Sequence, residues 1–466
     1  KDTITTPSTA SSVAASCEHR RTFHIPPICR AANRPAFDTR RQTSSSTLSL
    51  QLYNPESTLC LIFISNMIDH LDRICDAAAG RGEQIQRKIL EHLGHGHQQK
   101  TLPDFTIQRA AELLGVSISR IRALEGSERF PPPRARQAGA IQQRIYNYNE
   151  VNRLRELLGE RPTRPKTAPP LNITFSNLKG GVAKTTHAIH CAQYLAVRGH
   201  RVLLVDADPQ ATATGAFGIL PDIDLGEDDD LSGVILGTPE AIDGIVRKTC
   251  WDNLDLIPAS LSLQRVDLLI AREPAATTQQ LGSPLLRLRR GLGRLVDRYD
   301  VIVVDTPPAL GMLSLNAIAA ANLLIIPIEP HMYSLGSSVQ YFRILRDVIR
   351  RHRDSIGVQR INMLLTRVDE QSPETQGVIK LLASAYGGMC LTNHMPLSRE
   401  LQRVATDHLG LYEIEQPRGA RETFTRAVQA MDRVNADIFS QIRSLWDLHP
   451  DAPAATDRPS VLDDML

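Results

Sequence analysis

Hydrophobic positions change their spacing along the chain, and that change sets the predicted architecture. From residue 172 onward, short unbroken apolar runs alternate with longer stretches of helical period. This is the pattern of parallel strands buried on both faces and covered by helices. Asn172-Ile-Thr-Phe-Ser-Asn177 predicts a first strand, a helix follows to about Arg198, and Arg201-Val-Leu-Leu-Val205 predicts a second strand. Further strands are predicted at Arg298-Tyr-Asp-Val-Ile-Val-Val-Asp305, Asn322–Ile328, Ile361–Leu365 and Met389–Leu391, with helices between them. Two long helices are expected, from about Ser337 to Arg353 and from Ala420 to about Leu445. The expected fold is α/β: a doubly wound, mostly parallel sheet over residues 172–447.

The front of the chain reads differently. Residues 1–66 are rich in Ser, Thr, Pro and Arg without sustained periodicity, so a disordered leader is expected, with Met67 as the natural start. Residues 67–100 carry Ile68, Leu71, Ile74, Cys75, Ile85, Ile89, Leu90 and Leu93 at helical spacing, which predicts a helical arm. Residues 101–160 predict a small helical domain. Thr106–Leu114 is one short helix, Gly115 the turn, and Ser117–Glu125 a second helix capped by Ser117. Ile107, Ala110, Ala111, Leu114, Val116 and Ile121 form its core. Phe130-Pro-Pro-Pro133, a run of arginines and a helix from Glu150 to Leu158 complete it. Arg161–Pro170 predicts an extended proline-rich linker over 161–171, and residues 448–466 a loose acidic tail.

Composition changes this picture little. A formal charge of +2 and a pI near 8.2 mean that any nucleic-acid affinity must come from local patches. One such patch runs from Arg120 to Arg144, with six arginines against Glu125 and Glu128. A second lies on the 337–353 helix, where Arg343, Arg346 and Arg350 recur at helical spacing. The seven cysteines show no C-x-x-C spacing, which argues against a zinc ribbon or disulfide scaffold and for a reducing cytoplasm. No apolar run approaches the roughly 18 residues that a membrane helix needs, so no membrane role is expected.

The chemistry concentrates between residues 177 and 208. After the first strand comes Leu178-Lys-Gly-Gly-Val-Ala-Lys-Thr-Thr186, a glycine-rich turn that opens a helix. In that context, consecutive backbone N–H groups and the positive helix end converge on one point, which suits a polyphosphate. The candidate nucleotide-binding residues are Lys179, Gly180, Gly181, Val182, Ala183, Lys184, Thr185 and Thr186. Lys184 reaches the β/γ-phosphates as a point charge, and the Thr185 hydroxyl ligates Mg²⁺. Asp206 and Asp208 end the second strand, where ligands collect in open α/β sheets. Asp206 is expected in the Mg²⁺ shell or paired with a lysine. Asp305 ends a buried strand in the Walker B manner and should hold Mg²⁺, through water. The acidic stretch Pro221–Asp230 predicts a solvated loop.

The loop departs from the standard G-x-x-x-x-G-K-[ST] pattern but fits K-G-G-x-x-K-[ST]-[ST], with a second lysine at its start. This resembles the deviant Walker A motif of the ParA/MinD family of dimeric ATPases. The segments Leu254–Leu263, Asp305-Thr-Pro-Pro308 and Val434-Asn-Ala-Asp-Ile438 extend the resemblance toward the RepA/ParA plasmid-partition ATPases. It implies that Lys179 crosses a homodimer interface to the partner's nucleotide, and that Asp208 positions the attacking water. The implied catalytic set is Lys179, Lys184 and Asp208, with ATP and Mg²⁺ as cofactors. The implied partners are a ParB/RepB-like centromere-binding protein and nucleoid DNA, the latter gripped without sequence preference by Arg343, Arg346 and Arg350. The front domain resembles the winged helix of MerR-type DNA-binding proteins, which implies operator reading through Arg120, Arg122 and Arg144 and repression of its own operon. A MinD-like protein would need an amphipathic C-terminal helix, and a nitrogenase-reductase-like one a cluster-ligating cysteine pair. Neither is found. The rival is a transcriptional regulator that uses ATP as a ligand switch.

Overall fold

The computed structural model describes residues 102–448 apart from 139, 140, 163, 354, 416 and 418, together with Lys100 and residues 69–78, 80–82, 84, 85 and 88. The expected leader, the tail beyond Leu448, and Ile68, Ile89, Leu90 and Leu93 of the arm lie outside them. The chain divides into two units, one ending at Gly82 and one starting at Glu83. In the first, residues 69–78 are helical, and Leu71 and Ile74 are exposed.

The second unit begins with a small module. β1 (Phe105–Thr106), α1 (Ile107–Leu114), α2 (Ile118–Leu124), β2 (Arg134–Ala138), β3 (Ile141–Tyr146) and α3 (Tyr148–Leu158) follow one another in sequence. Thr106 caps α1 by accepting from the Arg109 N–H at 3.2 Å, and Gly115, at φ 64°, ends it in the left-handed region. Ser117 sits at the head of α2 without capping it. Its hydroxyl bonds instead to that of Ser119 at 2.9 Å, a local competitor for the same oxygen. Ile107, Ala110, Leu114 and Ile121 pack with Phe130, Tyr146, Val151 and Leu154.

The main body is a seven-stranded sheet in the order β10-β9-β4-β8-β5-β7-β6. Its central strands are β4 (Leu171–Phe175), β5 (Val202–Asp206), β8 (Val301–Asp305) and β9 (Leu323–Ile328). Outside them lie β6 (Arg247–Lys248), β7 (Leu254–Ile257) and β10 (Arg360–Leu365). All pairings are parallel except β6 with β7. Alternate residues of each strand feed opposite layers. Ile173, Phe175, Leu204 and Val303 pack under α4 (Lys184–Val197) and the C-terminal α7 (Arg421–Trp446). Leu203, Val205, Ile302 and Val304 face the other side, over Leu313 and Ala317. Leu324, Ile326 and Met363 pack against Tyr341 and Leu345 of α6 (Met332–Arg351). A truncation such as Leu203→Ala inside these layers costs about 2–5 kcal/mol. Between β5 and β6 lies the short α5 (Thr212–Ala216).

Several expectations are corrected here. Met389–Leu391 is not a strand; it contributes one isolated bridge, Met363 to Cys390, after a 3-10 turn over Gly387–Met389. α6 starts five residues earlier than its periodicity suggested, at Met332. The acidic stretch is not uniformly solvated. Pro221–Asp224 is helical, and Asp230 is fully buried, accepting from the Ser232 N–H at 2.8 Å and the Ser260 hydroxyl at 2.6 Å.

The proline-rich stretch is not an open spacer either. Pro165–Ala168 forms a turn closed by the Ala168 N–H, and Ala168 is buried. The front module therefore packs directly on the sheet body. The Tyr148 hydroxyl donates to the Ala196 carbonyl at 2.6 Å, and its ring meets Trp251 edge-on at 4.9 Å. Buried Arg155 donates to the Val197 carbonyl at 2.9 Å. Both acceptors lie in the last turn of α4, where a cation and donors satisfy free carbonyls and the negative helix end. Gly199 (φ 93°) makes this approach possible, because a Cβ there would lie 2.5 Å from Arg155 Cδ.

Candidate functional site

The site sits at the carboxyl ends of β4, β8 and β5. Register puts Phe175 beside Asp305 and Asp305 beside Asp206, so the glycine-rich loop after β4 and both carboxylate-bearing strands end at one level. The loop then has to turn sharply into α4. Gly181 (φ 74°) and Ala183 (φ 64°) do this in the left-handed region. For Gly181 that conformation is free; for Ala183 its Cβ makes it strained.

The two lysines take different places. Lys184 opens α4 and is buried, and its Nζ donates to the Lys179 carbonyl at 3.2 Å. Burial pulls its pKa down, opposed by the charges of Asp305 and Asp208. Lys179 stands at the rim with a partly exposed side chain. Its N–H donates to Asn177 Oδ1 at 3.0 Å, and its Nζ lies 3.4 Å from the Ser334 hydroxyl and 3.6 Å from Glu329 Oε2.

The carboxylates also divide. Asp305 is fully buried, and neither of its oxygens has a hydrogen-bond partner among the described residues. Burial first, and the neighbouring Asp206 charge second, push its pKa well above the usual carboxylate range. An orphaned, buried carboxylate beside the Thr185 position is a donor set that fits a hard cation such as Mg²⁺. Asp208 is also buried, though less completely, and its Oδ1 accepts from the Gln210 N–H at 2.9 Å. One oxygen of Asp206 accepts the Asp208 N–H at 3.1 Å; the other accepts the Thr214 N–H and hydroxyl, both at 2.8 Å. With both oxygens engaged, Asp206 holds the first turn of α5 and the loop that carries Asp208. Burial raises its pKa to about 6, against those same hydrogen bonds.

The sequence reading missed a ring of residues around the loop. The Thr366 hydroxyl donates to the Val182 carbonyl at 3.2 Å, and Arg367 Nη1 to the Gly181 carbonyl at 3.3 Å. Glu329 and Ser334 meet Lys179, as above. Thr366, Arg367 and Glu329 directly follow β10 and β9. Their one available signal was that position at a strand's carboxyl end.

The residues expected to meet DNA fall in two places. In the front module, Arg120 pairs with Glu160 at 2.9 Å and Arg144 with Glu125, while Arg122 is exposed. On α6, Arg343, Arg346 and Arg350 are all exposed, and Arg346 pairs with its neighbour Asp347 at 2.7 Å.

A parallel sheet with a glycine-rich loop and a buried lysine at the head of α4, facing a buried carboxylate on β8, defines a P-loop nucleoside-triphosphate hydrolase. A family model described as "AAA domain" matches residues 171–358. SopA of Escherichia coli K12 is 32% identical over 357 residues, covering 73% of this chain and 85% of SopA. The sporulation initiation inhibitor Soj of Bacillus subtilis is 33% identical over 201 residues, 43% of this chain and 74% of Soj. A solved structure described as a partition protein matches the fold with a TM-score of 0.56 at 20% identity, covering 80% of this chain and 99% of that one. The chain belongs to the ParA/SopA family of partition ATPases. Among the described residues, no helix is long and apolar enough to cross a membrane.

Proposed function

We propose that this ATPase moves replicons by cycling between single chains and an ATP-closed homodimer. Buried Lys184 and the N–H groups of Gly181 to Thr186 hold the β/γ-phosphates, while rim-standing Lys179 reaches the nucleotide of the second copy. Thr185 and Asp305 hold Mg²⁺, which supplies positive charge to the phosphate oxygens. Asp208 orients the attacking water, and Asp206 keeps Asp208 in place. Hydrolysis then needs only positioning and charge, with no covalent intermediate on the protein.

The dimer binds DNA without sequence preference through Arg343, Arg346 and Arg350, in association with the nucleoid. A ParB/RepB-like centromere-binding partner stimulates hydrolysis and so releases it. The front module, residues 101–160, reads an operator through Arg120, Arg122 and Arg144 and represses its own operon. For Arg120 and Arg144 this entails exchanging Glu160 and Glu125 for phosphates or base edges.

The observation that carries this reading is the pair of lysines on one loop, one buried at the head of α4 and one standing partly exposed at the rim. The test compares Lys184→Ala with Arg120→Ala. Lys184→Ala should abolish both ATP turnover and plasmid retention over generations, whereas Arg120→Ala should weaken operator binding and leave turnover intact. Full plasmid retention in a Lys184→Ala variant without turnover would leave a regulator rather than a motor.

A further inference from the structure

Glu329 collects an unusual set of neighbours at the rim of the phosphate loop. Its Oε2 lies 3.6 Å from Lys179 Nζ, and its Oε1 lies 3.4 Å from Arg367 Nε and 3.2 Å from His331 Nε2. Its side chain is mostly buried, so these contacts are less screened than ordinary surface pairs. Arg367 is held there at some cost. It adopts φ 52°, a conformation that disfavours any side chain with a Cβ, and its guanidinium also bonds the Gly181 carbonyl.

Lys179 is pinned along its backbone. Its N–H is held by Asn177, and its carbonyl receives the Lys184 ammonium. Only its four-carbon stem can move, and that stem ends against Glu329 and the Ser334 hydroxyl of the same molecule. A lysine in that position is not offered to a second chain. We propose that Glu329 is the resting counter-anion of Lys179. It holds the lysine, together with Arg367, at the loop rim of a single chain, and pairing requires the lysine to exchange this carboxylate for a phosphate bound to the second copy. Glu329 thereby sets the nucleotide concentration at which two chains close. Phosphate carries more charge and more acceptor oxygens than a carboxylate, so the exchange is favourable only once nucleotide is in reach.

The inference rests on the reading of Lys179 as the lysine that meets the second copy's nucleotide, and its test separates the two. Pairing is followed by light scattering of the full chain through a titration with Mg²⁺ and a slowly hydrolysed ATP analogue. Glu329→Gln should pair at about fivefold lower analogue concentration, on the scale of a partly exposed ion pair. Ser334→Ala, which removes the lysine's other resting contact, should shift the midpoint the same way by less. Nucleotide binding to single chains at high dilution should stay unchanged in both. Lys179→Ala should fail to pair, and Glu329→Gln/Lys179→Ala should behave as Lys179→Ala alone. Wild-type midpoints in both Glu329→Gln and Ser334→Ala, beside a defective Lys179→Ala, overturn the resting-anion role and leave the lysine's role standing. Normal pairing by Lys179→Ala overturns the lysine's role and the inference with it.

Discussion

Ala183 and Asp305 show how single residues in this site trade stability for chemistry. Ala183 occupies a left-handed position at the entrance to α4, where glycine would sit without strain. Ala183→Gly should raise the stability of the nucleotide-free chain by up to about 1 kcal/mol, read from urea unfolding, and preserve nucleotide binding. Ala183→Val should lose binding, because a β-branched residue cannot adopt that φ cheaply. Asp305 is a carboxylate sealed in the sheet with no hydrogen bond among the described residues, a state that favours the protonated acid. Asp305→Asn keeps the shape and removes the cost of protonating and burying a carboxyl that ionises freely in the unfolded chain. The expected outcome is a nucleotide-free protein more stable by about 1–3 kcal/mol, with turnover in MgATP at least about a hundredfold slower. A less stable variant with normal turnover would contradict a cation-holding role.

At the scale of elements, α4 joins the phosphate loop to the front module. Its first turn faces the phosphate loop, and its last turn is capped by Tyr148 and Arg155 from the front module. Three histidines lie buried along or just past it. Burial lowers the pKa of His187 to about 3 and of His190 and His200 to about 4. Such groups stabilise the fold while neutral, above the ordinary histidine pKa of about 6.5. That contribution is lost as the pH falls from about 6.5 toward the folded-state values, because the unfolded chain takes up protons first. At pH 5 the loss is about 2 kcal/mol per histidine. Asp206, with its pKa raised to about 6, acts in the opposite sense over the same range. A single-site comparison cancels that term. His200 packs between Phe439 and Trp446, with ring centroids at 5.3 and 5.7 Å, and its Nδ1 is unpartnered among the described residues. His200→Phe should therefore resist acid better, gaining about 2 kcal/mol on wild type between pH 7 and 5 in unfolding titrations. An unchanged pH dependence would mean that His200 already titrates normally.

Across the whole molecule, the proposed DNA contacts are local patches on a nearly neutral chain, so salt should discriminate between them. Each phosphate neutralised contributes about 0.9 to the slope of log affinity against log salt. Replacing Arg343, Arg346 and Arg350 with alanine should lower that slope by about 2.7 for each chain in contact with random duplex in the presence of MgATP, measured by fluorescence anisotropy. Arg120→Ala should act on operator DNA alone. Equal losses on operator and random duplex from both sets of changes would merge the two surfaces into one.

What could be read from the sequence follows from locality. Buried strands such as Val301–Asp305 announce themselves as apolar runs, and Lys179 through Thr186 lie on one continuous loop, so short-range pattern was enough for β4, β5, β8, β9 and β10 and for the P-loop, but not for the short strands β6 and β7 at one edge of the sheet. Sequence also placed α1 and α2, because Thr106 and Gly115 carry the cap and the turn locally. Other features depended on strands distant in sequence meeting in register. That register brought Glu329 and Arg367 to the loop and set Asp305 beside Asp206. Asp206 read as a ligand by position, and its bond to Thr214, eight residues on, emerges only in the fold. Met389–Leu391 had the apolar run of a strand but bridges to Met363 through a single residue pair. The stretch from Arg161 to Pro170 looked like a spacer by composition, and only packing against the sheet made it a joint. Sequence by itself determined the chemistry available and the class of fold, since both are written in contiguous residues. Tertiary structure alone decided which charges face each other and which helix end the front module caps, because those contacts join residues that chain order keeps far apart.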